Sequence, residues 1–350
     1  MRLQIRVRDC IIGGGAPIAI QSMTNTDTRD IDATVAQILA LEEAGCEIVR
    51  FAVFDMACAQ AIPAIRARTH IPLVADVHFD YRLAIAAVEN GIDKLRINPG
   101  NIGGEDRVRA VTDCARMHRV PIRVGVNGGS MEKDILARHG RPTPEAMLES
   151  ALHHVRMLEE AHFYDTAISL KASSVRDMVL AYRLAAEKTT YPLHIGLTEA
   201  GMGEDAIVKS AIGIGALLLD GIGDTLRVSI TGDPVEEIRI AKRILRTLGI
   251  RREGVEIISC PTCGRCKEDL VSMVRLVEQG LHGEKKPLTV AVMGCAVNGP
   301  GEAREADIGI AFGDGNGVVF KRGEKVAHGD AQAMIAYLLK EARDMLRETI

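Results

Sequence analysis

"ATVAQILALEEAGCEIVRFAV", Ala33 to Val53, carries two periodicities in one stretch. Through Gly45 its apolar side chains recur at helical spacing, and the glycine suits a helix C-cap. From Cys46 to Val53 it becomes a near-continuous apolar run broken by Arg50, the pattern of a parallel strand buried on both faces. A helix leading into a buried strand is one β/α repeat, and the number of repeats decides the fold.

Eight such strand runs precede residue 235. They are "PIAIQSMT" (Pro17–Thr24), "CEIVRFAV" (Cys46–Val53), "IPLVADVHF" (Ile71–Phe79), "DKLRINPG" (Asp93–Gly100), "VPIRVGVN" (Val120–Asn127), "TAISLKAS" (Thr166–Ser173), "YPLHIGLTEA" (Tyr191–Ala200) and "DTLRVSITG" (Asp224–Gly232). Helical segments follow them with recognisable starts. Thr143 is placed as an N-cap with Pro144 at the first helical position, and Asp233-Pro234 is followed by Glu236 in capping-box spacing. Eight units in this length predict an α/β fold, a (β/α)8 TIM-type barrel over residues 1–250; about 250 residues is typical. An open doubly wound sheet is the competing arrangement, but no G-x-G-x-x-G follows the first strand. After "RTLGIRREG" the pattern changes to two strands, a hairpin region and helices, which predicts a small α+β domain over 251–350.

Composition bounds the function. The 350 residues are 47% apolar and 26% charged, so the chain is globular, and with no Trp and 3% aromatics its core is aliphatic. A formal net charge of -4 excludes a general nucleic-acid binder, which needs a basic face. The N-terminal apolar stretch is interrupted by glycines and proline, unlike a secretion signal. "SAIGIGALLL" is far short of the roughly 20 residues of a membrane span. The expected location is therefore cytoplasmic, where cysteines are reduced and free to bind metal.

Barrel enzymes work at the C-terminal ends of their strands. Here those ends carry Arg50, Asp76 and His78, Arg96 and Asn98, Arg123 and Asn127, Lys171, Glu199, and Arg227 with Ser229. Any one cation there reads most simply as solvated or paired. Five strands bringing a cation to one mouth point to a shared anion, because a buried charge needs a partner. Arginine forks match phosphate oxygens, and the glycine-rich "NPGNIGGEDR" and "VNGGSMEKD" offer backbone N–H groups. A compact diphosphate is the expected ligand, with Glu199, Asp76 and His78 as acid–base or hydroxyl-binding groups.

The second domain holds "SCPTCGRC" (Ser259–Cys266) and "GCAVNGPGEA" (Gly294–Ala303). Cys10, Cys46, Cys58 and Cys114 are scattered and read as inert thiols. The other four allow three assignments. Cys260, Cys263, Cys266 and Cys295 suit a closed structural zinc site, or an electron-transfer iron–sulfur cluster. The third assignment leaves Cys266 out and recruits Glu302, with Gly-Pro-Gly expected to make a sharp turn back. A carboxylate is the more exchangeable ligand, so that site can open.

"QSMTNT", "PLVADVHFDYRLA", "LRINPGNIG", "PIRVGVNGGS", "GIGDTLRVS", "SCPTCGR" and "GCAVNGPGEA" together resemble the 4-hydroxy-3-methylbut-2-enyl diphosphate synthases of the methylerythritol phosphate route to isoprenoids, from about Ile18 to Ala303. The resemblance implies reductive ring opening of 2-C-methyl-D-erythritol 2,4-cyclodiphosphate by an oxidoreductase, with electrons from flavodoxin or ferredoxin. It implies a [4Fe-4S] cluster on Cys260, Cys263, Cys295 and Glu302, with Cys266 a bystander. It places substrate contacts on Arg50, Asp76, His78, Arg96, Asn98, Arg123, Asn127, Lys171, Arg227, Ser229 and Asn298, and a proton-donating role on Glu199. It also implies a head-to-tail homodimer in which one subunit's cluster domain caps the other's barrel. Two rivals come from other classes. One is a dihydropteroate-synthase-like barrel with a structural zinc domain, and the other is a non-enzymatic iron–sulfur carrier.

Overall fold

The computed structural model describes residues 2–348, which fall into two compact units meeting at Leu248/Gly249. In the first unit a hairpin, β1 (Gln4–Val7) and β2 (Cys10–Gly13), precedes eight parallel strands. These are β3 (Ala19–Met23), β4 (Ile48–Ala52), β5 (Leu73–Asp76), β6 (Lys94–Ile97), β7 (Ile122–Asn127), β8 (Thr166–Lys171), β9 (His194–Ile195) and β10 (Thr225–Leu226). Their order is β8-β7-β6-β5-β4-β3-β10-β9, and a parallel bridge from Ile168 to Leu193 joins the two ends. The barrel is closed.

The outward faces of the strands pack Val49, Phe51, Leu73, Ala75, Leu95, Val124 and Ile168 against the surrounding helices. The helices start where side chains cap them. Thr143 accepts from Ala146 N–H and Asp233 from Val235 N–H, each with proline in the first turn. Inside, Ile5, Val7 and Ile12 of the hairpin pack against Ala19, Ile48, Val74 and Ala167, so β1–β2 plugs the N-terminal end. Chemistry is left to the opposite mouth.

The last two strands are shorter than the sequence suggests. "YPLHIGLTEA" contributes only His194–Ile195, and "DTLRVSITG" only Thr225–Leu226. Gly196 has φ 152, and a Cβ there would collide with the Arg227 carbonyl. The chains leave strand geometry to let the two backbones pass, a conformation glycine tolerates.

The second unit is one five-stranded sheet: β11 (Val255–Ser259), β12 (Leu288–Met293), β13 (Ile308–Gly313), β14 (Asn316–Lys321) and β15 (Glu324–Asp330), in that order. β11–β12–β13 are parallel and β13–β14–β15 antiparallel. The helices Leu270–Gly280 and Ala331–Glu348 cover a core of Val290, Val292, Ile308, Ile310, Val319 and Leu338. "GDGNG" is the β13–β14 hairpin turn, with Asp314 at φ 48 and Gly315 at φ 79.

Candidate active site

Strand alternation sorts the barrel interior into layers. The register partners Asp76, Arg96 and Arg123 share the inward face, as do Asn127 and Lys171. Met23 and Arg50 lie alongside on β3 and β4. A TIM barrel interior is ordinarily branched aliphatic. Here the layers above the plug are polar and buried. Gly125 makes room for this, since a Cβ there would collide with the Arg96 guanidinium.

The charges fall into two groups. Asp76 is ion-paired to Arg96 at 3.0 Å, to Arg50 at 3.6 Å and to His78 at 3.6 Å. Burial pushes its carboxyl up, but Arg50, His78 and Arg96 outweigh that and hold it well below the usual carboxylate range. Glu237 pairs with Arg227 at 3.1 Å and also accepts a 2.7 Å hydrogen bond from Ser22. Arg50, depressed to about 10 by burial, also faces the Met23 sulfur. These cations are answered by the protein.

Arg123 and Lys171 are not. The Arg123 side chain is 0% exposed and donates to Ser169 Oγ at 2.9 Å, leaving Nε and one terminal nitrogen without a partner. Lys171 is buried, and among the described residues no carboxylate lies within ion-pair distance of it. Burial, reinforced by Arg227, Arg50 and Arg123, lowers its affinity for a proton strongly. Lys171 and Asn127 open onto a cleft of about 590 Å³ shared with Gly128, Gly129, Ser173 and Glu199. Glu199 is exposed there on a backbone of φ 55. Ser229 is half-buried two residues past Arg227. Asn98 caps the short helix Pro99–Ile102, its side chain accepting from Gly100 N–H at 3.1 Å.

The charge pattern of the sequence did not single out Lys94, Gln21 or His194. All three are buried inward groups with unpartnered polar atoms. A signal was present: Lys94 stands two residues before Arg96 and so shares its strand face.

In the second unit the parallel pairing Ser259↔Val292 brings the β11 and β12 ends together. Gly294 N–H donates to Cys260 Sγ at 3.2 Å, which ties one cysteine loop to the other. Cys295 faces the backbone N–H groups of Asn298, Val297 and Gly299, which lower its thiol pKa, and N–H groups of Arg265 do the same for Cys263. Thiolate is the form that ligates metal, so the donor chemistry fits a metal cluster. Among the described residues no three His, Cys, Asp or Glu converge as a single-ion site.

One expectation changes here. Gly299-Pro300-Gly301 does not turn sharply back; it forms the first turn of the helix Gly299–Glu305, with Asn298 as N-cap. Glu302 therefore projects from an exposed helix in line after Cys295. The three cysteines of "SCPTCGRC" also differ in packing. Cys266 lies against the hydrophobic core and hydrogen-bonds to the Glu268 carbonyl at 3.4 Å, and a Cβ at Gly294 would stand 2.5 Å from its sulfur. Cys263 is exposed. Cys266→Ser is expected to lower stability by about 1 kcal/mol, the scale of a polar atom placed in a packed site, while iron content and turnover stay near wild type. Loss of iron on purification would instead assign Cys266 as a ligand.

Comparison with known proteins fits these two units. The GcpE TIM-barrel domain matches residues 2–242, and the GcpE protein C-terminal domain matches residues 256–344. This chain belongs to the GcpE family. Curated relatives named 4-hydroxy-3-methylbut-2-en-1-yl diphosphate synthase (flavodoxin) span it. The Clostridium perfringens protein is 55% identical, covering 96% of this chain and 97% of its own. The Geobacter sulfurreducens protein is 56% identical, covering 99% and 98%. Among solved structures, Yersinia pestis dihydropteroate synthase aligns at a TM-score of 0.52 with 11% identity, covering 71% of this chain and all of its own. The N-acetylneuraminic acid synthetase of Leptospira borgpetersenii aligns at 0.53 with 12% identity, covering 81% and 99%. At that identity they share the barrel fold with this GcpE chain and nothing more. No helix among the described residues is long and apolar enough to cross a membrane.

Proposed function

We propose that this chain is a flavodoxin-dependent 4-hydroxy-3-methylbut-2-en-1-yl diphosphate synthase, acting on 2-C-methyl-D-erythritol 2,4-cyclodiphosphate in the reducing cytoplasm. The observation that carries this is a buried barrel interior whose Arg123 and Lys171 have no carboxylate within ion-pair distance among the described residues, in a GcpE chain 55% identical over 96% of its length to an enzyme of that name. Anaerobically reconstituted protein, given the cyclodiphosphate and reduced flavodoxin, is expected to release the linear diphosphate. Iron-loaded protein that binds the substrate but forms no product would overturn the assignment.

Arg123 and Lys171 hold the diphosphate, and their charge stabilises the oxygen that leaves C2 as the ring opens. Asp76 fixes Arg50, Arg96 and His78 in place, so these reach the substrate already oriented. His78 and Asp76 are placed for a substrate hydroxyl. Arg227, Ser229, Asn127, Asn98 and, from the second unit, Asn298 supply further polar contacts. Glu199, at the edge of the cleft, donates the proton with which the departing hydroxyl becomes water. Cys260, Cys263, Cys295 and Glu302 would hold a [4Fe-4S] cluster, which would supply the electrons. The thiolate-favouring surroundings of Cys263 and Cys295 support that ligand set, and Glu302 is the ligand chemically suited to exchange. Ferredoxin is the alternative donor; the relatives' names favour flavodoxin.

The assembly is proposed to be a head-to-tail homodimer, each active site taking its barrel from one subunit and its cluster from the other. The exposed apolar side chains Val208, Ile212 and Leu219 on the helix Gly203–Leu219 support an oligomer. Mixing an Arg123→Met protein with a Cys295→Ser protein and letting subunits exchange is expected to restore about a quarter of wild-type activity, since half the dimers then carry one intact site. Each variant alone stays inactive. No recovery on mixing, with exchange verified by mass, would place barrel and cluster of one site on the same chain.

A further inference from the structure

The floor of the barrel holds a charge that the assigned residues leave unexplained. Lys94 is 0% exposed and its ammonium nitrogen has no hydrogen-bond partner. It pairs in register with Val74, one layer beneath Arg96, and faces the barrel axis. Around it, Gln21 has both amide atoms unpartnered, His194 has its Nε2 unpartnered, and Arg123 has two free nitrogens. His194 Nδ1 is held by Thr225 Oγ1 at 2.8 Å. Buried polar atoms in folded proteins are nearly always satisfied, so several unpartnered ones at inward positions call for a partner that the described residues do not supply.

Asp76 is shared by Arg50 and Arg96, and Glu237 pairs with Arg227. No carboxylate of the described residues lies within ion-pair distance of Arg123, Lys171 or Lys94. The cyclodiphosphate is a dianion. With two electrons from the flavodoxin-type donor and one proton, its C2–O bond breaks, the electron pair leaves with the phosphate oxygen, a hydroxyl departs as water, and the product is a diphosphate trianion. Ring opening adds one negative charge, which a further buried cation offsets.

We propose that Lys94 is a further diphosphate-binding residue, supplying positive charge from the barrel floor and taking up the proton that carries this charge as the anion enters. This rests on the assignment of the cyclodiphosphate to the barrel. The charged groups that set its proton affinity are Arg123 on β7, Arg50 on β4 and Cys10 on the plugging hairpin, and Lys94 in turn acts on His194 of β9. Burial, then Arg123, presses the ammonium down to about 7, with Cys10 opposing. An anion placed against Arg123 reverses that pressure. His194 stays neutral beside these cations, burial being the first cause, and can only relay a hydrogen bond.

Calorimetric titration of the oxidised, cluster-loaded protein with cyclodiphosphate, in two buffers of different ionisation enthalpy, counts the protons taken up. At about pH 8, a unit above the Lys94 value, wild type is expected to take up close to one proton more than Lys94→Met, and to bind about 10-fold more tightly. At about pH 6 the difference in uptake disappears, because Lys94 is already charged. Thermal unfolding provides a second readout. A lysine whose folded value is depressed costs stability fully below about pH 7, and the cost fades as pH rises toward its ordinary value near 10.4. Lys94→Met is therefore expected to raise the melting midpoint at about pH 6 and to match wild type at about pH 10. Equal proton uptake by wild type and variant, or unchanged affinity, overturns the proposal. If Lys94→Met does not fold, Lys94→Gln takes its place, and wild-type uptake that is the same at both pH values overturns the proposal by itself. Wild type that fails to bind cyclodiphosphate overturns the functional assignment instead.

Discussion

Replacing Arg123 by methionine is expected to lower kcat/KM by about 10³-fold and, in the same protein, to raise the melting midpoint of the barrel. The size follows from the two guanidinium nitrogens that have no partner in the fold. A hydrogen bond to a charged group contributes about 1.5–3 kcal/mol, so two lost bonds cost about 3–6 kcal/mol in the bound state. At 1.4 kcal/mol per tenfold this spans about 10² to 10⁴. The stabilisation follows from the same fact. A fully buried cation without a carboxylate is a cost to the free protein, and an apolar side chain of similar length relieves it. Ser169, the one partner left behind, also faces the Val124 carbonyl at 3.4 Å, so its hydroxyl is not orphaned. Steady-state kinetics and a melting curve on one preparation read both effects. A variant that is inactive and less stable would mean that Arg123 serves the fold.

That opposition between stability and function explains what was legible in the sequence. The barrel could be read because its strands are apolar outward, and helix packing depends on that face alone: Val49, Phe51 and Leu95 announce strands wherever they stand. Arg50, Arg96, Arg123 and Lys171 could be read because they violate the same apolar pattern, although Arg123 lies near the start of its strand and Arg50 in the middle rather than at the ends expected. Lys94 was harder to read: its spacing from Arg96 puts it on the same face, but it opens its strand, a position that in most barrels belongs to an apolar floor. The register with Val74 shows that it faces the axis. The short β9 and β10 were hidden for a different reason. Gly196 and the Arg227 carbonyl are thirty-one residues apart, and their close approach is a property of tertiary structure. Spacing likewise could not rank the cysteines of "SCPTCGRC", since C-x₂-C-x₂-C is symmetric in sequence. Packing breaks the symmetry in part: Cys263 is exposed, whereas Cys260 and Cys266 both lie against the core.

The remaining large loss is expected at the proposed cluster site, where two substitutions should fail in different ways. Cys295→Ser removes the thiol that three backbone N–H groups favour as thiolate, and a serine hydroxyl does not ionise there. The variant is expected to purify without the visible cluster absorption and without measurable turnover, while its barrel still binds cyclodiphosphate. Glu302→Ala removes an exposed carboxylate from the helix Gly299–Glu305, whose cap at Asn298 and packing through Ala303 do not involve that side chain. It is expected to keep its fold, iron and cluster absorption but to lose at least about 100-fold in kcat, since even outer-shell partners of a metal ligand cost 10–100-fold. The contrast discriminates between roles. If Glu302→Ala turns over like wild type, the carboxylate is no functional ligand. If it loses iron as completely as Cys295→Ser, Glu302 holds the cluster in place. Iron retained with turnover lost is the signature expected of an exchangeable carboxylate ligand, and it would separate the proposed centre from a closed four-cysteine site, to which Glu302 would contribute nothing.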